Sequence, residues 1–139
     1  NIFFQKTLDI LEKKYPDKIN VITTFDQPYN KHITNLEKSD IVLDQVYAYD
    51  QGYNALEAMA LGKVVFTGAE KEWLKKYNID EDSVVINAIP DVSYIVEKLS
   101  WLIENPAERN AISKRARKFI EEFHDYKQIA RKYIKIWSK

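Results

Sequence analysis

The sequence predicts a single α/β domain with a doubly wound, Rossmann-like parallel sheet, flanked by helices and followed by further helices. Continuous apolar runs rich in β-branched residues recur at 20–25, 40–44, 64–67 and 84–87, a pattern typical of parallel strands buried on both faces. Amphipathic stretches alternate with these runs, at 7–14, 31–38, 54–61 and 72–77. Such alternation favours strand–helix–strand units with right-handed crossovers. The length of 139 residues is sufficient for one hydrophobic core.

The C-terminal third is predicted to be helical. Asp91 is suited to cap a helix whose apolar residues recur on one stripe over 95–103. The sequence Asn-Pro-Ala-Glu at 105–108 marks the start of the next helix, with proline in its first position. A break at 124–125 precedes a last helix with an aromatic-rich stripe over 126–137. We interpret this stripe as ordinary core, with a docking face for another domain as the alternative.

Composition and charge exclude several classes of function. The 21 basic and 21 acidic side chains cancel, so no net field attracts nucleic acid, and no such partner is expected. The absence of cysteine excludes a disulfide framework and is compatible with a reducing cytosol. His32 and His124 have no carboxylates clustered near them at ligand spacing, so no metal site is expected. The basic run 113–118 is interpreted as a solvated helix face, with weak contact to anionic lipid headgroups as the alternative.

Residues 44–62 carry most of the chemical information. A buried strand ends near Asp44, a polar and aromatic loop follows, and Gly52 introduces a helix that Gly62 ends as its C-cap. Ligands of open parallel sheets bind at such turns, beyond the carboxyl ends of the strands. The first amides of a helix carry partial positive charge and suit a diphosphate. Glu57, one turn further on, is placed to accept hydrogen bonds from sugar hydroxyls.

The same spacing also fits a purely structural role. Asn54 and Glu57 form an acceptable capping box, in which Asn54 caps the helix and Glu57 folds back onto its amide. On spacing alone, the structural and the ligand-binding roles both remain open.

The stretch from Ser39 to Phe66 resembles the sugar-nucleotide motif of group 1 (family four) glycosyltransferases, in the C-terminal domain of their GT-B architecture. In that family, a strand similar to Asp40-Ile-Val-Leu-Asp44 leads to a loop, a glycine and a helix similar to Leu56-Glu-Ala-Met-Ala-Leu-Gly62. The resemblance continues through the closing helices and covers nearly the whole chain. It implies that residues 1–139 form one donor-binding domain, and that an N-terminal acceptor domain lies outside this sequence.

The resemblance implies roles for individual residues of this segment. Glu57 matches the second glutamate of the family's paired-glutamate motif, which usually holds the nucleotide ribose. Gly52 matches the glycine between the two glutamates. Tyr53 and Asn54 match positions whose backbone faces the diphosphate, and Gln51 completes this predicted donor-binding set.

The first glutamate of the motif falls at Tyr49, and this departure affects the predicted catalytic set. A phenol has a pKa of about 10 and supplies no negative charge near neutral pH. Asp50 lies next to it and substitutes for the missing carboxylate if the loop shifts slightly. The predicted catalytic residues are therefore Glu57, Asp50 and Tyr49.

Two more turns at the same edge are candidates for donor contacts. Gly68 follows the strand at 64–67 and either lies near the donor sugar, as the equivalent loop does in relatives, or is a plain turn. Tyr29 follows the predicted strand at 20–25, where relatives hold the base, and is a candidate stacking platform.

The N-terminal residues depart from the pattern of the relatives. There, a first strand leads to a phosphate-contacting loop with a Lys-Gly pair. Asn1–Phe4 is similar to that strand, whereas Gln5-Lys6 is too short for the loop. We therefore expect a loop to be missing between Phe4 and Thr7.

The resemblance implies a retaining, metal-independent hexosyltransferase that uses a UDP- or GDP-sugar and no cofactor. The expected acceptor is a glycan or a lipid-linked glycan in surface polysaccharide or glycolipid biosynthesis, and this domain alone is expected to be inactive. A cytoplasmic location follows, with at most peripheral contact to the inner face of the membrane. The alternative is a non-catalytic nucleotide-binding or regulatory α/β module, in which Tyr49 records loss of the first glutamate.

Overall fold

The computed structural model describes residues 1–138 and contains a three-stranded parallel sheet. Its strands β1 (Ile41–Leu43), β2 (Val64–Thr67) and β3 (Ile86–Asn87) lie in the order β1-β2-β3. The helices are α1 (Ile2–Lys14), α2 (Tyr29–Lys38), α3 (Tyr53–Ala60), α4 (Lys71–Tyr77), α5 (Val92–Glu104), α6 (Pro106–Phe123) and α7 (Tyr126–Trp137). The predicted α/β class, with a parallel sheet flanked by helices, is confirmed.

A separate hydrophobic cluster covers each face of the sheet, because successive side chains of a strand point to opposite faces. Val64 and Phe66 belong to a cluster that includes residues of α1 and α5, whereas Val65 belongs to one that includes residues of α3 and α4. Helix α6 contributes Ile112 to the first cluster and Phe119 to the second. Helices thus cover both faces of the sheet, as the predicted doubly wound arrangement requires.

The helix ends follow the predicted punctuation in most places. Gly62 has a φ of 68° after α3, and the amides of Gly62 and Lys63 bond the carbonyls of Met59 and Ala58 at 2.9 and 3.0 Å. This is the Schellman arrangement that ends many helices. Asp91 caps α5 by accepting from the amide of Tyr94 at 3.0 Å.

The prediction of a strand at Asn1–Phe4 is wrong, because these residues open α1. Asn1 caps the helix by accepting from the amide of Phe3 at 3.0 Å, and Phe4, Thr7 and Leu11 form its buried face. A short apolar run has no periodicity of its own, so it fits a strand or a helix equally well. Since α1 is continuous from Ile2 to Lys14, the expected missing loop between Phe4 and Thr7 is also wrong.

The prediction of a strand at 20–25 is wrong as well. This segment has neither helix nor strand structure, and Ile22 and Phe25 are exposed. The preference of β-branched residues for strands reflects packing on a half-buried pleated surface. None of residues 20–25 belongs to a core cluster or packs against one, so this packing is missing here.

The break at 124–125 is confirmed, but the interpretation of the last helix as core is wrong. Helix α6 ends at Phe123, and Asp125 caps α7 by accepting from the amide of Gln128 at 2.9 Å. No side chain of α7 is buried. Within residues 1–138, no helix is both long enough and apolar enough to cross a membrane.

Candidate functional site

The N-terminal turn of α3 lies beyond the carboxyl end of β1 and is open to solvent. Gly52 is the N-cap residue, and no side chain accepts a hydrogen bond from the first amides of the helix. The proposed capping box is therefore absent: Asn54 lies inside α3, and its side chain donates instead to Oδ1 of Asp44 at 2.7 Å. Amides at a helix start that lack side-chain partners are suited to bind an anion.

The fold itself does not require a glycine at position 52. The backbone of Gly52 has φ −80° and ψ 177°, an extended conformation that any residue adopts. A Cβ at this position would fit without overlap, the nearest atom beyond the adjacent residues being Nε2 of Gln45 at 3.7 Å. The missing side chain therefore leaves space next to the helix start that the protein does not fill.

Asp44 connects this turn to the neighbouring strand. Its Oδ1 accepts from Asn54 at the start of α3, and its Oδ2 accepts from the hydroxyl of Thr67 at the end of β2, at 2.9 Å. One carboxylate thus fixes the start of α3 relative to the sheet. The sequence pattern identified Asp44 only as the end of a strand. Its carboxylate directly after a buried strand was the feature that marked it as part of the site.

Glu57 lies one turn inside α3 and faces α2. Its side chain is 32% exposed, and its Oε1 accepts from the hydroxyl of Tyr29 at 2.8 Å. This hydrogen bond raises the pKa of the Tyr29 phenol above its usual value. Glu57 is therefore accessible and does not fold back onto the start of its own helix.

His32 is the residue near Glu57 that sequence reasoning missed. Its Nε2 lies 3.9 Å from Oε2 of Glu57, and its ring centroid lies 6.5 Å from that of Tyr29. His32 and Tyr29 share one face of α2 because they are three residues apart. This spacing places His32 beside Tyr29 and was the available signal in the sequence. The contact of His32 with Glu57 of α3 depends on tertiary packing, which the spacing does not contain.

The turn after β2 contains Gly68 and is closed by the protein. Gly68 is buried, and a Cβ at this position would overlap the backbone of Ala48. The carbonyl of Gly68 accepts from the side chain of Gln51 at 2.6 Å, and the amide of Glu70 donates to the carbonyl of Tyr49 at 3.1 Å. The structure thus brings Gln51 and Gly68 into direct contact, with Gly68 serving close packing.

An open cavity of about 430 Å³ lies beside the loop that precedes α3. Tyr49, which is 83% exposed, and Asp50 contribute to its lining from this loop. The remaining lining residues are Glu70, the N-cap residue of α4, and Glu72, Trp73 and Lys76 within α4. Its lining combines carboxylates and an ammonium group with aromatic side chains, a mixture of polar and apolar groups that is common in small-molecule sites.

The predicted site residues therefore form one edge of the domain. Tyr29 and Glu57 are in contact at one end of it, and Gly52, Tyr53 and Asn54 form the helix start. Tyr49, Asp50, Gln51 and Gly68 lie on the side of the cavity. Across residues 1–138 no group of at least three His, Cys, Asp or Glu side chains is arranged to hold a metal ion; that the activity needs no metal stays a prediction.

A parallel sheet with an open helix start beyond the carboxyl end of a strand is typical of Rossmann-like ligand-binding domains. Comparison with known families then specifies the class. A family model described as glycosyl transferase-like matches residues 5–135. The chain therefore belongs to this glycosyl transferase-like family, whose activity class is glycosyl transfer. Comparisons with curated proteins and with solved structures found no match.

Proposed function

We propose that this domain binds a nucleotide-activated sugar, a UDP- or GDP-sugar, and presents it for retaining glycosyl transfer. The start of α3 carries the proposal. Its amides have no side-chain partner, and Gly52 leaves space that neither the backbone conformation nor the packing requires. A diphosphate fits both features, because it needs close approach to several backbone amides at once.

The neighbouring residues extend this placement to the whole donor. Glu57 holds the ribose hydroxyls, since a carboxylate accepts two hydrogen bonds and this one is accessible. Tyr29 already contacts Glu57 and stacks with the base beside the ribose. The sugar extends in the opposite direction, towards the cavity next to Tyr49 and Asp50.

The chemistry assigned to this domain is mainly electrostatic. In the transfer, the bond between the anomeric carbon and the diphosphate oxygen breaks, and a bond to the acceptor oxygen forms on the same face. The acceptor proton passes to a phosphate oxygen of the donor. Helix amides that already point at the diphosphate stabilise the charge that develops there as it departs.

The rest of the reaction involves a second domain. The acceptor is a glycan or lipid-linked glycan of surface polysaccharide or glycolipid biosynthesis, and it binds on an acceptor domain that faces the α3 edge across a cleft. The enzyme is a cytoplasmic hexosyltransferase, and residues 1–139 alone bind nucleotide and transfer nothing. Sugar transfer by this isolated domain would contradict the proposed division of labour.

The ribose contact gives the sharpest test of the proposed donor orientation. Calorimetry compares UDP with 2′,3′-dideoxy-UDP, and GDP with its dideoxy analogue, on the parent chain and on Glu57→Gln. Loss of a hydrogen bond to a charged group weakens binding about thirtyfold. The parent should therefore prefer the ribonucleotide by about this factor, and Glu57→Gln should show a clearly smaller preference, because its amide forms only neutral hydrogen bonds.

Glu12→Gln is the matched control, because Glu12 is an exposed glutamate on α1, outside the site. It removes the same charge and should retain the full preference for the ribonucleotide. A Glu57→Gln chain that still discriminates as the parent does would show that the carboxylate does not hold the ribose.

A non-catalytic nucleotide-binding module is the second candidate, and Tyr49 favours it. Tyr49 occupies the position of the first glutamate and has an exposed phenol where that residue has a carboxylate. Turnover and donor affinity of the two-domain enzyme, and of its Asp50→Asn and Tyr49→Phe variants, separate the transferase from the non-catalytic module. The transferase predicts that Asp50→Asn lowers kcat strongly while donor affinity changes little. The module predicts no turnover in the parent, with nucleotide binding intact.

A further inference from the structure

We propose that the cavity beside the loop that precedes α3 binds an uncharged hexose of the donor and excludes a sugar that carries a carboxylate. This inference rests on the proposed function, because it concerns the sugar end of the same nucleotide-sugar. It adds the charge of that sugar, which the start of α3 does not specify. The charges around the cavity and one hydrogen-bond donor in its wall support the assignment.

Acidic side chains outnumber basic ones around the cavity. Asp50, Glu70 and Glu72 contribute three carboxylates to its lining, and Lys76 contributes one ammonium group. Because the whole chain has equal numbers of basic and acidic side chains, this excess is a local feature. A concave site lined mainly by one sign of charge repels ligand groups of the same sign.

The charged groups of the lining do not neutralise each other. Within residues 1–138, none of the four forms an ion pair. Glu70 is the N-cap residue of α4, but its side chain accepts no hydrogen bond from that helix. The ammonium group of Lys76 lies 5.0 Å from the ring centroid of Tyr77, an arrangement in which the ring attracts the cation. The carboxylates are thus available to accept hydrogen bonds from a ligand.

Trp73 provides a hydrogen-bond donor in a wall that is rich in acceptors. It is only 6% exposed, and its ring packs against those of Tyr77 and Phe119, with centroids 5.6 and 5.3 Å apart. Its indole N–H has no acceptor among residues 1–138, where the one buried side-chain nitrogen or oxygen atom without a partner is Oγ1 of Thr7. The N–H of Trp73 is therefore reached by solvent, through the cavity that Trp73 lines. A fixed donor without a protein partner suits a ligand oxygen.

An uncharged hexose satisfies the acceptors and the donor together. A hydroxyl group both donates and accepts, so the sugar bonds the carboxylates and the N–H of Trp73 at once. The exposed ring of Tyr49 provides an apolar surface beside these polar groups. A hexuronate has a carboxylate in place of one hydroxymethyl group. This carboxylate donates no hydrogen bond, and the excess of like charge around the cavity repels it.

Paired donors test the preference by calorimetry on the chain. UDP-glucose is compared with UDP-glucuronate, UDP-galactose with UDP-galacturonate, and GDP-mannose with GDP-mannuronate, so that the members of a pair differ at one carbon. UDP and GDP alone are measured first, which tests the nucleotide site by itself. In the pair whose neutral member binds best, the neutral donor should be preferred about tenfold, the effect of about one unfavourable charge contact near a protein surface.

Substitutions at the cavity should change this preference in opposite directions. Glu70→Gln/Glu72→Gln leaves one carboxylate and one ammonium group, so the preference should fall to about twofold or less. Lys76→Gln should increase it, because only carboxylates remain. Glu12→Gln/Glu122→Gln is the matched control. It removes two exposed glutamates from α1 and α6, outside the cavity, and should retain the preference of the parent.

Trp73→Phe tests the hydrogen-bond donor. It retains an aromatic ring but removes the N–H, so the neutral donor should lose about fivefold in affinity relative to UDP or GDP alone. Circular dichroism and thermal melting verify that this variant and the charge variants fold. An unchanged ratio in folded Trp73→Phe would show that the indole does not contact the sugar and would overturn the proposed sugar subsite.

The remaining outcomes separate this inference from the proposed function. If neither UDP nor GDP binds, the nucleotide site is wrong and the inference fails with it. If one of them binds but the uronate donor binds as tightly as its neutral partner, the inference alone is overturned. It is also overturned if the control pair lowers the preference as much as Glu70→Gln/Glu72→Gln does.

The two-domain enzyme tests whether the acceptor domain fills the cavity instead of a sugar. Its kcat/KM values should show the same preference for the neutral member of the pair. A preference that calorimetry finds in the chain but that is absent from the two-domain enzyme would show that the acceptor domain covers this lining. That result would overturn the inference and leave the nucleotide site intact.

Discussion

The turns that follow β1 and β2 lie side by side at one edge of the sheet, and each contains a glycine. At Gly68 the protein fills the space completely, since a side chain there would overlap the backbone of Ala48, and its carbonyl accepts from Gln51. At Gly52 the backbone is extended, a Cβ would have its nearest neighbour at 3.7 Å, and the helix amides have no side-chain partner. One glycine is required by packing, whereas the other leaves a space that the protein does not use.

The difference separates stability from ligand binding within a few residues of sequence. Substitution at a closed turn acts on the folded state, because the new atoms displace backbone. Substitution at an open turn leaves the folded state nearly unchanged and acts on whatever occupies the space. The two glycines therefore provide a direct way to tell which part of this edge serves the fold and which part serves a ligand.

The largest expected effect is that of Gly68→Ala. Overlap with Ala48 should destabilise the domain by about 3 kcal/mol, because the neighbour is backbone and has little freedom to move. Urea denaturation followed by circular dichroism measures this loss. The same substitution at Gly52 is the control and should cost less than about 1 kcal/mol. Equal losses at both positions would remove the distinction between the two turns.

Gly52→Asp should change stability and binding in opposite directions. An aspartate at the N-cap accepts hydrogen bonds from the helix amides and should stabilise the fold by about 0.5–1 kcal/mol. The same carboxylate then accepts the hydrogen bonds that the amides would donate to a diphosphate, and its negative charge repels this group. UDP or GDP binding should therefore weaken by at least about thirtyfold. Thermal melting with and without nucleotide measures both effects. Unchanged nucleotide affinity in this variant would show that the diphosphate binds elsewhere.

Asp44 connects the two turns, so its loss should affect both. Asp44→Ala removes acceptors for Asn54 and for the buried hydroxyl of Thr67. An unsatisfied buried hydroxyl together with the lost hydrogen bonds should destabilise the domain by about 2 kcal/mol. Asp44→Asn retains one side-chain oxygen and should cost about half as much, as chemical denaturation would show. If Asp44→Ala has the same stability as the parent, the carboxylate does not connect the helix start to the sheet.

The smallest expected effect is spectroscopic. The hydrogen bond to Glu57 raises the pKa of Tyr29, so Glu57→Gln should return this phenol towards its usual titration range. The stabilisation from this contact is fully present below the ordinary tyrosine pKa of about 10 and is lost as pH rises through the raised value. Ultraviolet difference titration isolates the phenol by comparison with Tyr29→Phe. An identical Tyr29 titration in the parent and in Glu57→Gln would show that the contact does not persist in solution.

The sequence patterns predicted the elements that are buried and long enough to have a period. The continuous run Val64–Thr67 matches β2 residue for residue, because all of its side chains are buried. The helix at 54–61 matches α3 within one residue at each end, with Gly62 as its stop. Residues 1–4 and 20–25 were mispredicted, since a short apolar run takes its structure from the neighbours that it finds in the fold, and those neighbours are not local in sequence.

The sequence predicted which edge of the sheet holds the candidate site, but not which of the residues there contact each other. Spacing identified Gly52 and Glu57, because helix starts and the positions one turn inside them follow from local geometry. The same spacing suggested that Asn54 caps the helix, and this was wrong because Asp44 accepts from its side chain in the fold. His32 near Glu57 and Gly68 against Ala48 depend on how α2 and the two turns pack, which no local pattern contains.

Helix α6 has a consequence for how the domain unfolds. Ile112 packs on one side of the sheet, and Ala116 and Phe119 pack on the other. Detaching either layer therefore also disrupts α6 and, through it, the opposite layer. Amide hydrogens of α3 and α5, on opposite sides of β2, should exchange with solvent deuterium through the same global opening. We therefore expect the two layers to unfold as one cooperative unit, because a single helix belongs to both.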